Sequence, residues 1–262
     1  MLRLHRGRGL ELRRRHDVST KGSGEPLLFL PPLGASAALW SAFTDALAAR
    51  CLVLSLEPPA GFLTTRQLAR FAVSALNGHG LDRVTVYGQS LGGMVAQWLS
   101  IEASVRVRRL VLASTSAQGA RFARAGLVRG LGFMRCLTRP AGEAGVCLAR
   151  RVLSPNFVEQ HPDRLHEIER LLRREARPRS RLIAEGLSGA LHATGSRLAD
   201  IGAETLCLGG ALDALLGDEP QRSLAGAIPN ARFETIDEVG HDIALEAPDE
   251  TARRVHRFMG LA

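Results

Sequence analysis

The chain has 262 residues, enough for one large α/β domain or for a core with an inserted subdomain. Hydrophobic residues make up 45% of the chain and charged residues 23%, which excludes a disordered protein and a membrane bundle. The net charge is +8, but every basic residue except Lys21 is an arginine, and no nucleic-acid-binding motif accompanies them. We therefore expect no DNA or RNA partner.

The targeting and cysteine patterns indicate a cytoplasmic protein. No apolar run approaches the roughly 18 residues that a membrane-spanning helix needs. The first residues lack the apolar core of a signal peptide. The four cysteines, Cys51, Cys136, Cys147 and Cys207, follow neither a metal-binding nor a disulfide spacing. We predict that all four are buried free thiols in a reducing compartment.

Strands and helices alternate over the first 117 residues. Two short alternating pieces between Leu2 and Val18 predict an N-terminal hairpin, and residues 21–26 predict a turn. Short apolar runs predict buried strands at 27–30, 51–56, 84–87 and 110–113. Helical spacing is found at 37–50, at 64–76 and from Leu91 onward. This alternation implies a parallel sheet with right-handed crossovers.

The alternation stops after Ser116. Residues 118–197 contain no strand-like run, and their helical stretches are interrupted by Pro140, Pro155, Pro162 and Pro178. We interpret this segment as a helical lid, inserted after the sixth strand. Residues 1–117 and 198–262 would form the core, which further strands at 205–209 and 232–236 and helices at 220–227 and 245–259 complete.

Gly88-Gln89-Ser90-Leu91-Gly92 lies between a predicted strand and a predicted helix. A G-x-S-x-G sequence in that context predicts a nucleophile elbow, a sharp turn that holds Ser90 in a strained conformation with its hydroxyl exposed. Gly88 and Gly92 would leave room for the crossing chains, where a Cβ would clash. The alternative is an ordinary Gly-Ser loop, which is common in α/β proteins.

A serine hydroxyl is a poor nucleophile unless a base takes its proton and a third group orients that base. His241 follows the strand at 232–236, where the C-terminal edge of the sheet faces the site, and we predict it as the base. Asp213 comes directly after the strand at 205–209, and we predict that it orients His241. The alternatives are a solvated loop histidine and an aspartate that caps a turn or helix.

An oxyanion hole requires two preorganised N–H donors. One should be the amide of Leu91, the residue after Ser90. The other should come from the loop after the strand at 27–30. Because Pro31 and Pro32 have no N–H, Leu33 is the expected donor and Gly34 the fallback.

Three motifs together resemble the α/β-hydrolase fold family of the serine hydrolase type. They are residues 88–93, 210–213 and 240–248, and their order of Ser, Asp and His along the chain is that of the family. Residues 90–98 and 109–116 are similar to the 3-oxoadipate enol-lactonase branch, as are residues 33–36 with Trp40; residues 92–94 are more weakly similar to homoserine acyltransferases. Pro31-Pro32 departs from the family, which usually has His-Gly there.

The resemblance implies a mostly parallel twisted sheet flanked by helices. It also implies a serine-dependent hydrolase of a carboxylic ester, lactone or thioester that needs no metal or organic cofactor. The alternatives are an acyltransferase that uses the same acyl-enzyme and a non-catalytic ligand-binding protein.

The partner we expect is a small-molecule acyl substrate. The arginine-rich lid either attracts an anionic substrate or is a solvated face. Candidate substrate-binding residues are Gly34, Trp40, Phe122, Phe133 and Met134. The alternative is that apolar lid residues such as Phe122 do not contact substrate and only pack the lid onto the core. Nothing in the sequence indicates an oligomeric state.

Overall fold

A computed structural model of the chain describes residues 18–34, 36, 38–119, 132 and 135–261. Seven strands of this part form one sheet, in the order β1-β3-β2-β4-β5-β6-β7. They are β1 (Val18–Gly22), β2 (Glu25–Leu30), β3 (Cys51–Leu56), β4 (Val84–Gln89), β5 (Val107–Ala113), β6 (Glu204–Gly210) and β7 (Ala231–Ile236). β1 pairs antiparallel with β3, and the other pairings are parallel. The predicted α/β architecture is confirmed.

Helices flank the sheet and extend the chain between β5 and β6. The described helices are α1 (Ser41–Ala48), α2 (Thr65–Gly78), α3 (Leu91–Glu102), α4 (Ala141–Val152), α5 (Pro155–Gln160), α6 (Pro162–Arg174), α7 (Arg179–Ala190), α8 (Asp218–Ala227), α9 (Ile243–Glu246) and α10 (Pro248–Met259). None of these helices is both long enough and apolar enough to cross a bilayer.

Two apolar clusters lie on the two faces of the sheet. α1 and α10 contribute to the first cluster through residues such as Phe43 and Val255. α2, α3 and α8 contribute to the second through residues such as Leu76, Leu99 and Leu224. β4 is buried along its whole length, as its apolar sequence predicts for a central parallel strand.

The N-terminal part of the sheet differs from the prediction in its strand limits. Lys21 pairs with Val53, and Glu25 pairs with Cys51, so that the predicted turn at 21–26 is mostly strand. The predicted hairpin lies outside the described residues, apart from Val18, which begins β1. In the described chain the lid segment therefore follows the fifth strand, β5, rather than the sixth.

The predicted closing helix at 245–259 is two helices, α9 and α10. Ala247 lies between them with φ −133° and ψ 64°, outside the helical region. Pro248 begins α10, because the first turn of a helix tolerates a residue without an N–H.

α4 to α7 lie in the segment predicted as a lid. An isolated bridge between Gln118 and Ala193 brings the two ends of this segment together. Leu153 and Phe157 of the segment are buried in the same cluster as the core residues Val239 and Leu245. The segment therefore packs onto the sheet at the end that follows β7. We use the name lid for residues 118–197, and their division from the core as a separate domain stays a prediction.

Cys136 and Cys147 form a disulfide, which corrects the prediction of four free thiols. Their Cα atoms lie 5.4 Å apart, a separation that no spacing rule along the chain reveals. Cys51 and Cys207 are buried and free, as predicted. Burial raises the pKa of the Cys51 thiol to about 11 and that of Cys207 to about 12. Because disulfides persist in oxidising compartments, the cysteines no longer support a cytoplasmic location, which stays a prediction.

Candidate active site

Ser90 lies at the sharp turn between β4 and α3. Its φ is 51° and its ψ −114°, a conformation that is strained for a residue with a side chain. A Cβ built on Gly88 would lie 2.4 Å from the Gly92 oxygen, and one on Gly92 would lie 2.0 Å from the Leu30 oxygen. Only glycine fits at both positions. The backbone expected for a nucleophile elbow is present.

Three strand ends bring a serine, a histidine and an aspartate together. His241 Nε2 lies 3.0 Å from Ser90 Oγ, and His241 Nδ1 lies 2.9 Å from Asp213 Oδ2. Ser90 follows β4, Asp213 follows β6 and His241 follows β7. The three predicted side chains thus form one hydrogen-bonded chain, in which His241 and Asp213 are 3% and 5% exposed and shielded from water.

The Asp213 carboxylate is held by the backbone that follows β6. Its Oδ1 accepts hydrogen bonds from Leu215 N and Leu216 N, both at 2.9 Å. Burial opposes ionisation, but the charge and hydrogen bond of His241 and the two backbone N–H groups outweigh it. The net result is an Asp213 pKa below its ordinary value. Asp213 is therefore a preoriented anion beside the imidazole.

The His241 pKa shifts in the opposite direction. Burial lowers it, but the charge and hydrogen bond of Asp213 and the charges of Asp242 and Glu246 together raise it above its ordinary value. An imidazole in this environment accepts a proton readily and is stabilised once it is charged.

The sequence did not single out Asp242, which lies beside His241. Its buried carboxylate accepts a hydrogen bond from Gln89 Nε2, and Tyr87 Oη donates to Gln89 Oε1 at 2.9 Å. Burial raises the Asp242 pKa to about 7, with a further contribution from the charge of Glu246. The only signal in the sequence was an acid next to the histidine.

The loop that carries His241 is bonded to the lid. Glu246 accepts hydrogen bonds from Gly240 N at 3.0 Å, Ser154 N at 3.0 Å and Ser154 Oγ at 2.5 Å. His241 N donates to Val152 O at 2.9 Å. A Cβ at Gly240 would lie 2.7 Å from Ser154 N, so the close approach of the lid requires a glycine there.

The loop after β2 approaches the lid helix α7. Gly34 N donates a hydrogen bond to Glu185 Oε2 at 2.8 Å. The N–H group of Gly34, the fallback oxyanion donor, is therefore already bonded to Glu185. Leu33 stays the predicted donor from this loop. Leu91, the other predicted donor, begins α3, where N–H groups point away from the helix and favour negative charge.

The predicted substrate-binding residues are only partly within the described chain. Phe122, Phe133 and Met134 lie outside it. Trp40 is 2% exposed and belongs to a core cluster, with its ring 6.0 Å from that of Phe29. Gly34 faces Leu182 of α7. The structure thus gives Trp40 a packing role, and its contact with substrate stays a prediction.

Several lid arginines are paired with carboxylates. The pairs include Arg150 with Glu169, Arg173 with Glu143, Arg177 with Glu57 and Arg181 with Glu185. Pairing reduces the field that attracts an anion, which favours the alternative of a solvated, salt-bridged face. Within the described ranges, no group of three or more His, Cys, Asp or Glu side chains is arranged to hold a metal ion.

A mostly parallel sheet with a serine elbow after a central strand is the arrangement of the α/β hydrolases. A family model described as "Alpha/beta hydrolase family" matches residues 27–254. Because this match spans most of the chain, the protein belongs to the α/β-hydrolase family.

Known relatives and structures agree with this assignment. The chain is 28% identical over 250 residues to a protein of Azorhizobium caulinodans named "Putative carbamate hydrolase RutD", covering 91% of this chain and 92% of that protein. A hydrolase from Pseudomonas aeruginosa PA01 superposes with a TM-score of 0.79 and 24% identity over 93% of both chains. The enol-lactonase from Burkholderia xenovorans LB400 has a TM-score of 0.79 and 18% identity over 93% of this chain and 95% of that one. At these identities the two structures support the fold alone.

Proposed function

We propose that this protein is a serine hydrolase that cleaves a carboxylic ester, lactone or thioester through an acyl-enzyme on Ser90. The observation that carries the proposal is the hydrogen-bonded chain from Ser90 Oγ through His241 to Asp213, with both distances at or below 3.0 Å. A base must lie within hydrogen-bond reach of the proton it removes, and the bond between His241 Nε2 and Ser90 Oγ meets that condition.

In the first step His241 Nε2 takes the Ser90 proton while Ser90 Oγ attacks the substrate carbonyl. Asp213 bonds Nδ1, which fixes the tautomer that leaves Nε2 free to accept and stabilises the imidazolium that forms. The negative charge moves to the carbonyl oxygen. The N–H groups of Leu33 and Leu91 would hold that oxyanion.

The tetrahedral intermediate then collapses and expels the leaving group, to which the His241 imidazolium gives its proton. Water enters next, loses a proton to His241 and attacks the acyl carbon. Collapse of the second tetrahedral intermediate releases the acid and returns the proton from His241 to Ser90 Oγ. No step requires a group other than these side chains, two amides and water.

Carbamates are a second candidate substrate class, because the Azorhizobium caulinodans relative is named as a carbamate hydrolase. A carbamate carbonyl can be attacked by the same serine and held by the same oxyanion donors. We propose that the substrate is a small molecule of one of these classes.

Labelling by a fluorophosphonate probe tests the proposal. The wild type should label and hydrolyse a short p-nitrophenyl ester, and Ser90→Ala should lose both, with a fall in kcat of about 10⁴-fold or more. Ser100→Ala is a matched control on the same helix, where the hydroxyl donates to the Ala96 carbonyl at 2.9 Å. A folded wild type that does not label would contradict the proposal and favour a binding role.

A panel of esters, lactones, thioesters and carbamates then ranks the substrate classes by kcat/KM. Adding alcohols or amines as competing acceptors distinguishes hydrolysis from acyl transfer, because only an acyltransferase would give mainly the transfer product.

A further inference from the structure

The lid helix α7 contacts the loop predicted to supply one of the two oxyanion donors. Glu185 on this helix is 7% exposed, and its Oε2 accepts the hydrogen bond from Gly34 N at 2.8 Å. Pro31 and Pro32 have no N–H, so Leu33 and Gly34 are the loop's first residues after β2 that can donate. The lid therefore forms a hydrogen bond with the N–H group of Gly34, the residue next to Leu33.

The Glu185 carboxylate is itself fixed by an arginine. Arg181 Nε donates to Glu185 Oε1 at 2.9 Å, and Arg181 donates a second bond to the Pro58 carbonyl at 2.8 Å. The Arg181 side chain is 15% exposed, and the Glu185 side chain, taken without its backbone, is 9% exposed. Charge-assisted bonds in such partly dry surroundings are stronger and more directional than neutral ones. Glu185 and Arg181 thus connect the loops after β2 and β3 to α7 by hydrogen bonds.

Apolar contacts reinforce this attachment on the same helix. The Leu33 side chain packs against the cluster that contains Cys136, Leu148 and Leu182. A Cβ built on Gly189 would lie 3.5 Å from Leu91 Cδ1. α7 therefore lies against both residues that are predicted to donate to the oxyanion.

We infer that Glu185 is a positioning residue, which sets the loop so that the Leu33 amide points at the developing oxyanion. The inference rests on the proposed serine mechanism. In this chain Pro31-Pro32 replaces the family's usual His-Gly pair. The Glu185 carboxylate then supplies the hydrogen bond that orders the loop. Gly34 has a φ of 75°, so this turn depends on a backbone that a glycine adopts readily.

Arg181 is needed beside Glu185 because it neutralises the charge of the carboxylate. The Cα atoms of neighbouring residues are about 3.8 Å apart, so a carboxylate bonded to Gly34 N lies close to the substrate oxyanion that the Leu33 N–H would hold. A lone carboxylate there would oppose the oxyanion, because like charges repel strongly where water is scarce. The Arg181 guanidinium cancels that charge while leaving the hydrogen bond intact.

The test compares kcat, KM and the thermal unfolding temperature of variants with those of the wild type, using the p-nitrophenyl ester. Glu185→Ala should lower kcat about 10- to 100-fold with little change in KM, the loss expected when a charge-assisted hydrogen bond is removed. Glu185→Gln keeps an acceptor oxygen and should stay within about fivefold of the wild type. Glu143→Ala is the matched control, because it breaks the exposed lid pair with Arg173 and should leave kcat unchanged.

A second pair of variants keeps the inference testable where Glu185→Ala fails to fold. Arg181→Ala leaves the carboxylate uncompensated and should lower kcat, and adding Glu185→Gln should restore most of it by removing the charge. Loss of packing alone would not be rescued in this way. Failure of the rescue would overturn the inference, as would a Glu185→Ala variant with wild-type kcat.

Labelling separates the two proposals. If Ser90-dependent labelling is present and the Glu185 variants behave like the wild type, only the positioning role is wrong. If no Ser90-dependent labelling occurs in the folded wild type, the serine mechanism is wrong and the positioning role is overturned with it.

Discussion

The C-terminal edge of the sheet and the lid contribute to the same site in different ways. The sheet edge supplies Ser90, Asp213 and His241, each placed by the end of a parallel strand. The lid supplies Ser154, which bonds to Glu246 after the His241 loop, and Glu185, which bonds to the loop that carries the predicted oxyanion donor Leu33. It also supplies Arg181, which bonds to Glu185 and to the Pro58 carbonyl in the loop after β3. One region supplies the groups that we propose to react, and the other contacts the loops around them.

The two regions should therefore respond differently to substitution. Changes at the sheet edge should abolish turnover and leave folding almost intact. Changes in the lid should alter stability or loop geometry, with turnover reduced and not lost. Substitutions in the two regions and beside His241 test this difference.

The largest effect is expected from the sheet edge, at Asp213. Asp213→Asn keeps the shape of the side chain but removes the charge that stabilises the imidazolium and selects its tautomer. We expect kcat to fall by about 10³- to 10⁴-fold. Steady-state kinetics of the purified variant measure it.

Asp218→Asn is the control for Asp213→Asn, because Asp218 forms an exposed pair with Arg222 on α8 and should have little effect on kcat. A variant at Asp213 that retains more than a tenth of the activity would remove the aspartate from the proposed mechanism.

At the contact between the lid and the loop that carries His241, we expect a smaller effect on turnover than at Asp213. The effect on stability should be larger. Glu246→Ala removes the acceptor for Gly240 N, Ser154 N and Ser154 Oγ. Leaving partly buried donors without a partner should lower the free energy of unfolding by about 2–3 kcal/mol. Urea denaturation followed by circular dichroism measures the change.

Glu250→Ala serves as the comparison for Glu246→Ala. It breaks the ion pairs with Arg253 and Arg254 on α10 and should cost about 1 kcal/mol or less. Equal losses for the two variants would show that the lid contact at Glu246 contributes no more than a surface ion pair.

The smallest effect is a change in pH dependence. Only neutral His241 can act as the base, so kcat/KM should fall as the pH drops through its pKa, which neighbouring acids hold above its ordinary value. Asp242 is one of those acids. Asp242→Asn removes its charge and keeps an oxygen for Gln89, so the acidic limb of the profile should move to lower pH.

The exposed Asp237, four residues before His241, provides the control for the pH experiment, since Asp237→Asn should leave the limb in place. An unchanged limb in Asp242→Asn would mean that this carboxylate does not act on His241 through its charge.

Much of the fold and of the candidate triad was predictable from local patterns. The elbow around Ser90 has a short motif between a strand and a helix, and Asp213 and His241 follow strand ends at the places where a parallel sheet collects polar residues. The limits of β1 and β2 were not predictable in this way. Lys21 and Glu25 have no strand-like pattern of their own, and it is their pairing with β3 that makes them strand.

The α/β alternation and the candidate nucleophile, base and acid could be found in the sequence, because each depends on residue types within a few positions of a strand end. The Cys136–Cys147 disulfide, the bond of Glu246 to Ser154 and the bond of Glu185 to Gly34 became visible only in the folded chain. The last two join residues 92 and 151 positions apart. In all three the partners meet because helices fold back onto one another or onto the sheet, and no local periodicity encodes such a meeting.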